Sequence, residues 1–226
     1  MESALRKTGF WTSTVGGGFD LLDWASGLGL TPRPASTGGP LVSTLTPTPT
    51  AEAKPRSLSR KHGLGAFPPH TDAAHHRIPP RMTALRLVSG SRPNRPTLLF
   101  DWSGVADEAL RSDLRYGVWL VRAGRHRFYR PAIEVLSDGR TLIRYDQGCM
   151  TPATPRAERA VSLIDEYSNR ASQTLIEWRE GSLLVIDNWR VLHARAPNAV
   201  STSDSNGEES WSLERVLLDL SEGASL

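Results

Sequence analysis

Cys149 is the only cysteine in this chain, so no intrachain disulfide can form, and a reducing compartment is the natural one. Lysine is almost as scarce. Lys7, Lys54 and Lys61 are the only three among 27 basic residues, and arginine supplies the rest. Arginine forks suit carboxylates and phosphates, which makes an anionic ligand a natural expectation. A nucleic-acid binder would gather those arginines on one stripe, whereas here they are spread along every segment, so no nucleic-acid partner is expected. Nor does any run approach the roughly 20 apolar residues that span a bilayer. A soluble, cytoplasmic protein with no membrane partner is the expectation, and 226 residues suffice for one domain with a real core.

Apolar residues three and four apart between Phe19 and Leu28 predict a short amphipathic helix. Thr31 to Arg60 is rich in Pro, Thr, Ser and Gly, a composition that resists helix and central strand alike. Residues 1–62 are therefore expected to be a helix plus a surface-wrapping arm, and 63–226 the main domain. Short strands are expected at Met82 to Val88, Pro96 to Trp102, Val118 to Val121, Phe128 to Leu136, Arg140 to Tyr145, Thr174 to Trp178, Ser182 to Val191 and Leu213 to Leu220. Helices are expected from Val105 to Tyr116 and from Thr154 to Asn169, the second opened by a capping hydroxyl and Pro155. Many close-spaced strands with a few inserted helices predict a mainly β fold, an antiparallel sandwich or rolled sheet of jelly-roll type.

The chemistry concentrates in Pro69-His70-Thr71-Asp72 and in a distant His193. In an extended segment, residues i and i+2 point to one side, so His70 and Asp72 can reach one ion while Thr71 faces away. Two imidazoles and one carboxylate make the facial triad of non-haem Fe(II), which leaves open coordination positions. His75 and His76 could instead extend the motif toward a hydrolytic zinc site. The dense histidine run of such sites is missing, so they read as polar surface or pocket residues, as do His62 and His126.

The run Asp187-Asn188-Trp189-Arg190-Val191-Leu192-His193-Ala194-Arg195, with Phe67-Pro68-Pro69-His70-Thr71-Asp72 upstream, resembles the 2-oxoglutarate-dependent dioxygenases of the taurine dioxygenase and clavaminate synthase-like superfamily. The resemblance spans roughly Gly63 to Leu220. It implies a double-stranded β-helix core, Fe(II) held by His70, Asp72 and His193, and 2-oxoglutarate and O₂ as co-substrates. It also implies oxidation of a substrate with release of succinate and CO₂. Thr97 matches the threonine that holds the 2-oxoglutarate carboxylate, though it also reads as an ordinary strand residue. Arg215 matches the arginine that pairs with that carboxylate, and Arg195 competes for the same role. Family halogenases replace the carboxylate ligand with a small residue, so Asp72 implies hydroxylation or a related oxidation. Asp219 stands where sulfonate-using members carry an arginine, which speaks against a taurine-like substrate. A small amino-acid-like or natural-product substrate bearing a carboxylate is expected, with Arg195 and Arg144 as candidate contacts. A peptide hydroxylase on the same barrel, or a non-catalytic metal-binding barrel, are the alternatives. The arm and the polar loop Pro197 to Ser210 are candidate lids.

Overall fold

The computed structural model describes residues 1–46, 48–53, 57–90, 95–105, 107–170, 173–196 and 211–220. The chain opens with helix α1 (Glu2–Thr8), strand β1 (Phe10–Thr14) and helix α2 (Leu21–Gly27). Two short strands, β2 (Leu30–Arg33) and β3 (Val42–Leu45), and the one-turn helix α3 (Leu58–His62) follow. Strand β4 (Phe67–His70) leads to β5 (Met82–Gly90), β6 (Thr97–Asp101) and helix α4 (Glu108–Tyr116). Next come β7 (Trp119–Ala123), β8 (His126–Arg130), β9 (Ile133–Val135), β10 (Thr141–Ile143) and β11 (Met150–Pro152), then the long helix α5 (Pro155–Arg170). Strands β12 (Thr174–Ile176), β13 (Ser182–Asp187), β14 (Val191–Arg195) and β15 (Trp211–Leu220) complete the described chain.

Two antiparallel sheets face each other. The larger runs β1-β13-β5-β15-β2, with β3 also on β15, and the smaller runs β12-β6-β14-β4. Between them lie Leu85, Leu99, Trp178, Leu184, Ile186, Val191 and Leu213. Each strand serves two cores because successive side chains alternate faces. On β13, Leu184 and Ile186 point inward, while Leu183 and Val185 meet Leu5, Leu21 and Ala25 of α1 and α2 on the outside. The outer face of the smaller sheet is covered in the same way. Phe100, Leu192 and Ala194 bury themselves against Leu110 and Leu114 of α4 and Ala157, Ala160 and Ile164 of α5. Coverage on both faces explains why β13 reads as an uninterrupted apolar run. The result is a mainly β jelly roll with inserted helices.

Local chemistry sets the helix starts. Asp20 accepts from the Leu22 and Asp23 N–H groups, and Asp107 caps Leu110 at 2.9 Å. The Thr154 hydroxyl takes the Val118 N–H at 3.0 Å, which ties the start of α5 to β7, and Pro155 follows at the first helical position.

Three expectations are corrected. Ser182 to Val191 is not one strand: Asp187 accepts from the Trp189 N–H through Oδ1 at 3.1 Å and from the Arg190 N–H through its carbonyl at 3.0 Å. That side-chain-to-backbone turn carries the chain from the larger sheet to the smaller. Phe128 to Leu136 is divided at Pro131, leaving β8 and β9 in separate small sheets. The arm does contain strands: β2 and β3 both pair with β15, and Pro32 is tolerated because β2 is an edge. The N-terminal residues, given no assignment from their pattern, supply α1 and the edge strand β1. The loop Pro197 to Ser210 lies outside the described residues. Among the described residues, no helix is long and apolar enough to cross a membrane.

Gly181 makes the turn into β13 with φ at +73°, and an added Cβ would sit 2.3 Å from the Val15 carbonyl oxygen. The Val15 N–H in turn donates to the Gly181 carbonyl at 2.8 Å. Gly181→Ala combines left-handed strain with a backbone clash and is expected to destabilise the fold by about 1–3 kcal/mol. Urea unfolding should show a lower midpoint with unchanged slope, and an unmoved midpoint would contradict this account.

Candidate metal centre

Strand β4 delivers His70 directly opposite His193 on β14. Pro68 and Pro69 cannot donate to a ladder, which suits this short strand at the edge of its sheet. The two imidazole rings stand 4.3 Å apart between centroids. Thr71 turns away: its N–H donates to the Tyr145 carbonyl at 2.7 Å, and its hydroxyl accepts from the Tyr145 N–H at 3.1 Å. Asp72 then returns to the side of His70, with Oδ2 3.6 Å from His193 Nε2. One ligand atom from each of His70, Asp72 and His193 lies within 4.8 Å of the others, and all three residues are buried.

Their protonation suits a cation. Burial, reinforced by neighbouring His70, pushes His193 down to about 3, so it is a neutral imidazole at physiological pH. Burial alone would raise Asp72, but Arg215 and the two histidines outweigh it and hold the carboxyl at about 2. His70 Nδ1 lies 3.0 Å from the Pro68 carbonyl, a contact that puts the proton on Nδ1 and leaves Nε2 a free lone pair. His193 Nδ1 is buried with no hydrogen-bond partner among the described residues.

The aspartate is held from every side. Arg215 Nη1 donates to Oδ1 at 2.6 Å, and the Thr83 hydroxyl donates to Oδ2 at 3.1 Å. Asn188, fully buried at the corner after β13, accepts from the Asp72 N–H at 2.9 Å and donates to the Asp72 carbonyl at 3.0 Å and the Pro80 carbonyl at 2.9 Å. The next residue, Ala73, has φ at +50°, a conformation a non-glycine residue adopts only where surroundings enforce it. Arg144 does much of that enforcing. Its guanidinium donates to the carbonyls of Ala74, His76 and Arg77 at 3.1, 2.7 and 2.6 Å, and pairs with Glu134 at 3.1 Å.

Of the residues singled out from sequence, the structure brings His70, Asp72, His193 and Arg215 together. Arg144 is fully buried, with both terminal amino groups engaged by the loop carbonyls and Glu134. Arg195 turns to the carbonyls of Gly63 and Gly65 and lies 3.8 Å over the Phe67 ring, making no contact with Asp72. Thr97 sits on β6 two residues from Leu99, the partner of His193, and its hydroxyl accepts from Trp178 Nε1 at 3.0 Å. His76 lies 3.1 Å from the Ala35 carbonyl in the arm, with His75 against its ring, so neither extends the triad. His62 stands edge-on to Phe67. Asp219 pairs with Arg33 at 2.8 Å. Thr83 and Asn188 carried no sequence-level role. Asn188 lies inside the run that carried the resemblance, and Thr83 is a polar residue alternating inward with Leu85 and Leu87.

The family model described as taurine catabolism dioxygenase TauD, TfdA family, matches residues 106–215. That span includes His193 and Arg215 but begins after His70 and Asp72, whose place beside them comes from the fold. No curated protein matches the chain by sequence. Among solved structures it is similar to an asparagine oxygenase in complex with Fe(II), 2S,3S-3-hydroxyasparagine and succinate, at 17% identity and a TM-score of 0.70, over 96% of this chain and 77% of that one. It is also similar to the non-heme iron oxygenase OrfP in complex with Fe, succinate and (3S)-hydroxy-L-Arg, at 18% identity and 0.67, over 96% and 76%. A taurine dioxygenase from Burkholderia xenovorans is similar at 19% identity and 0.69, over 96% and 79%. The family match thus runs through the second half of the barrel, on a jelly-roll fold that the chain shares with these oxygenases.

Proposed function

We propose that the protein is an Fe(II)- and 2-oxoglutarate-dependent oxygenase that hydroxylates a small amino-acid-like substrate. The observation that carries this reading is the convergence of two buried imidazoles and one ionised carboxylate from β4, its following loop and β14. The donor set fits Fe(II): hard oxygen and imidazole nitrogen on one face, with no fourth protein ligand among the described residues. When bound, iron and 2-oxoglutarate supply the oxidising power to hydroxylate a C–H bond with O₂, releasing succinate and CO₂.

The chain's own residues prepare that chemistry. His193 is already neutral and Asp72 already ionised, so neither must lose a proton to ligate. Asn188 and Thr83 fix the aspartate's backbone and second oxygen, and the Pro68 carbonyl fixes the His70 tautomer. Arg215 is the charged fork beside the triad, and its Nε is buried without a partner among the described residues. A co-substrate carboxylate would take that guanidinium, with the Thr97 hydroxyl still free to donate while accepting from Trp178. Arg195, at the Gly63–Gly65 loop, is the remaining candidate for a substrate carboxylate. The hydroxylated asparagine and arginine held by two structural neighbours support an α-amino acid as the substrate class. With a single cysteine and no membrane-length helix among the described residues, the cytoplasm is the compartment we assign.

Asp72→Ala is expected to abolish both stoichiometric Fe(II) binding by calorimetry and succinate formation from 2-oxoglutarate; full retention of either sinks the reading. Asn188→Ala removes three hydrogen bonds around Asp72 and should weaken Fe(II) binding about 10- to 100-fold. Arg215→Ala should raise the KM for 2-oxoglutarate by roughly 10- to 100-fold, the range of a lost charge-assisted pair. Arg195→Ala should leave that KM within about twofold, and the reverse pattern would exchange the two roles.

A further inference from the structure

A second cavity, of about 500 Å³, lies against the Asp187–Arg190 corner and shares no residue with the triad. Arginines scattered through the sequence converge on it: Arg6 from α1, Arg81, Arg111 and Arg115 from α4, Arg140, and Arg190. Four of the six have acidic partners. Arg6 pairs with Glu2 and Arg190 with Asp101, while Arg81 and Arg140 lie 2.6 Å from Asp187 and Asp138. Arg111 and Arg115 have no carboxylate partner among the described residues. They stand one helical turn apart, where like charges repel rather than support the helix. Two cations are therefore left without acidic partners at the rim of a concave surface.

The rest of the lining suits an organic anion. Trp189 is flanked by the guanidinium groups of Arg81 and Arg140, each 4.9 Å from its ring centroid. Trp102, 3% exposed, closes the floor of the cavity. Ile133 and Val135 add an apolar wall. The volume is that of a small-molecule pocket.

We propose that this cleft binds a phosphate group. A phosphate dianion matches the two unpaired cations in charge, and its tetrahedral oxygens accept from two guanidinium forks at once. The phosphate comes either free or as a monoester, whose organic part would lie on the Ile133–Val135 wall. The assignment is independent of the iron reading.

Calorimetry on the metal-free full chain, with inorganic phosphate and with phenyl phosphate at an ionic strength fixed by sodium chloride, tests it. Saturable one-to-one binding is expected for at least one ligand. Tighter binding of phenyl phosphate identifies a monoester site, and equal affinity identifies a free-phosphate site. R111Q/R115Q should weaken binding on the order of tenfold or more while leaving the thermal midpoint unchanged, since both side chains are exposed. His193→Ala should bind phosphate as the parent does. Absence of saturation with both ligands, equal affinity in the double variant, or loss of binding in Arg215→Ala alone would overturn the proposal.

Discussion

A carboxylate as deeply buried as Asp72 is stable as an anion only where donors and cations surround it, and much of this structure is arranged to provide them. Arg215 arrives from β15, Thr83 from β5 and His193 from β14, so three strands in two sheets contribute to one side chain. Asn188 does the equivalent for the backbone. It sits where the chain leaves the larger sheet and joins the smaller, and its amide holds both the N–H and the carbonyl of Asp72. The loop that carries the aspartate and the corner that precedes His193 are thereby one mechanical unit. A shift in either sheet would be felt at the triad, which makes the layered core around Leu99, Leu184 and Ile186 part of the site's precision.

The same arrangement explains the two charge states. His193 is enclosed by apolar strands and by a second imidazole, an environment that rejects a positive charge. Asp72, a few ångströms away, faces a guanidinium, which stabilises a negative one. Neighbouring groups of opposite tendency are thus kept in the forms that ligate a cation, with burial acting on both and Arg215 deciding the second.

Much of this was legible in the sequence because it rests on local pattern. The i, i+2 relation of His70 and Asp72, the apolar run before Asp187 and the cap at Thr154 each express short-range physics. What escaped depends on tertiary context. The corner at Asn188 looked like continuing strand because its flanks are apolar, and only the Asp187 side chain turns it. The arm looked too rich in proline for a sheet, yet an edge strand has one row of N–H groups to spare. Arg144 and Arg195 read from sequence as carboxylate grips because each is an arginine near a metal motif. The carbonyls that both donate to belong to segments far away in sequence, which local pattern does not reveal. The Arg111–Arg115 cleft was invisible for the same reason: dispersed cations become a patch only after folding.

The pairing of β2 and β3 along β15 has a consequence for solubility. With residues 30–45 in place, β15 is an interior strand, and its ladder of N–H and C=O groups is satisfied on both sides. Were that strip to peel away, a ten-residue strand rich in leucine would become a bare template for another chain. The proline-bearing segment that resists ordinary strand formation is thus well chosen as a cover, since it closes the sheet while presenting a poor edge of its own to the next molecule.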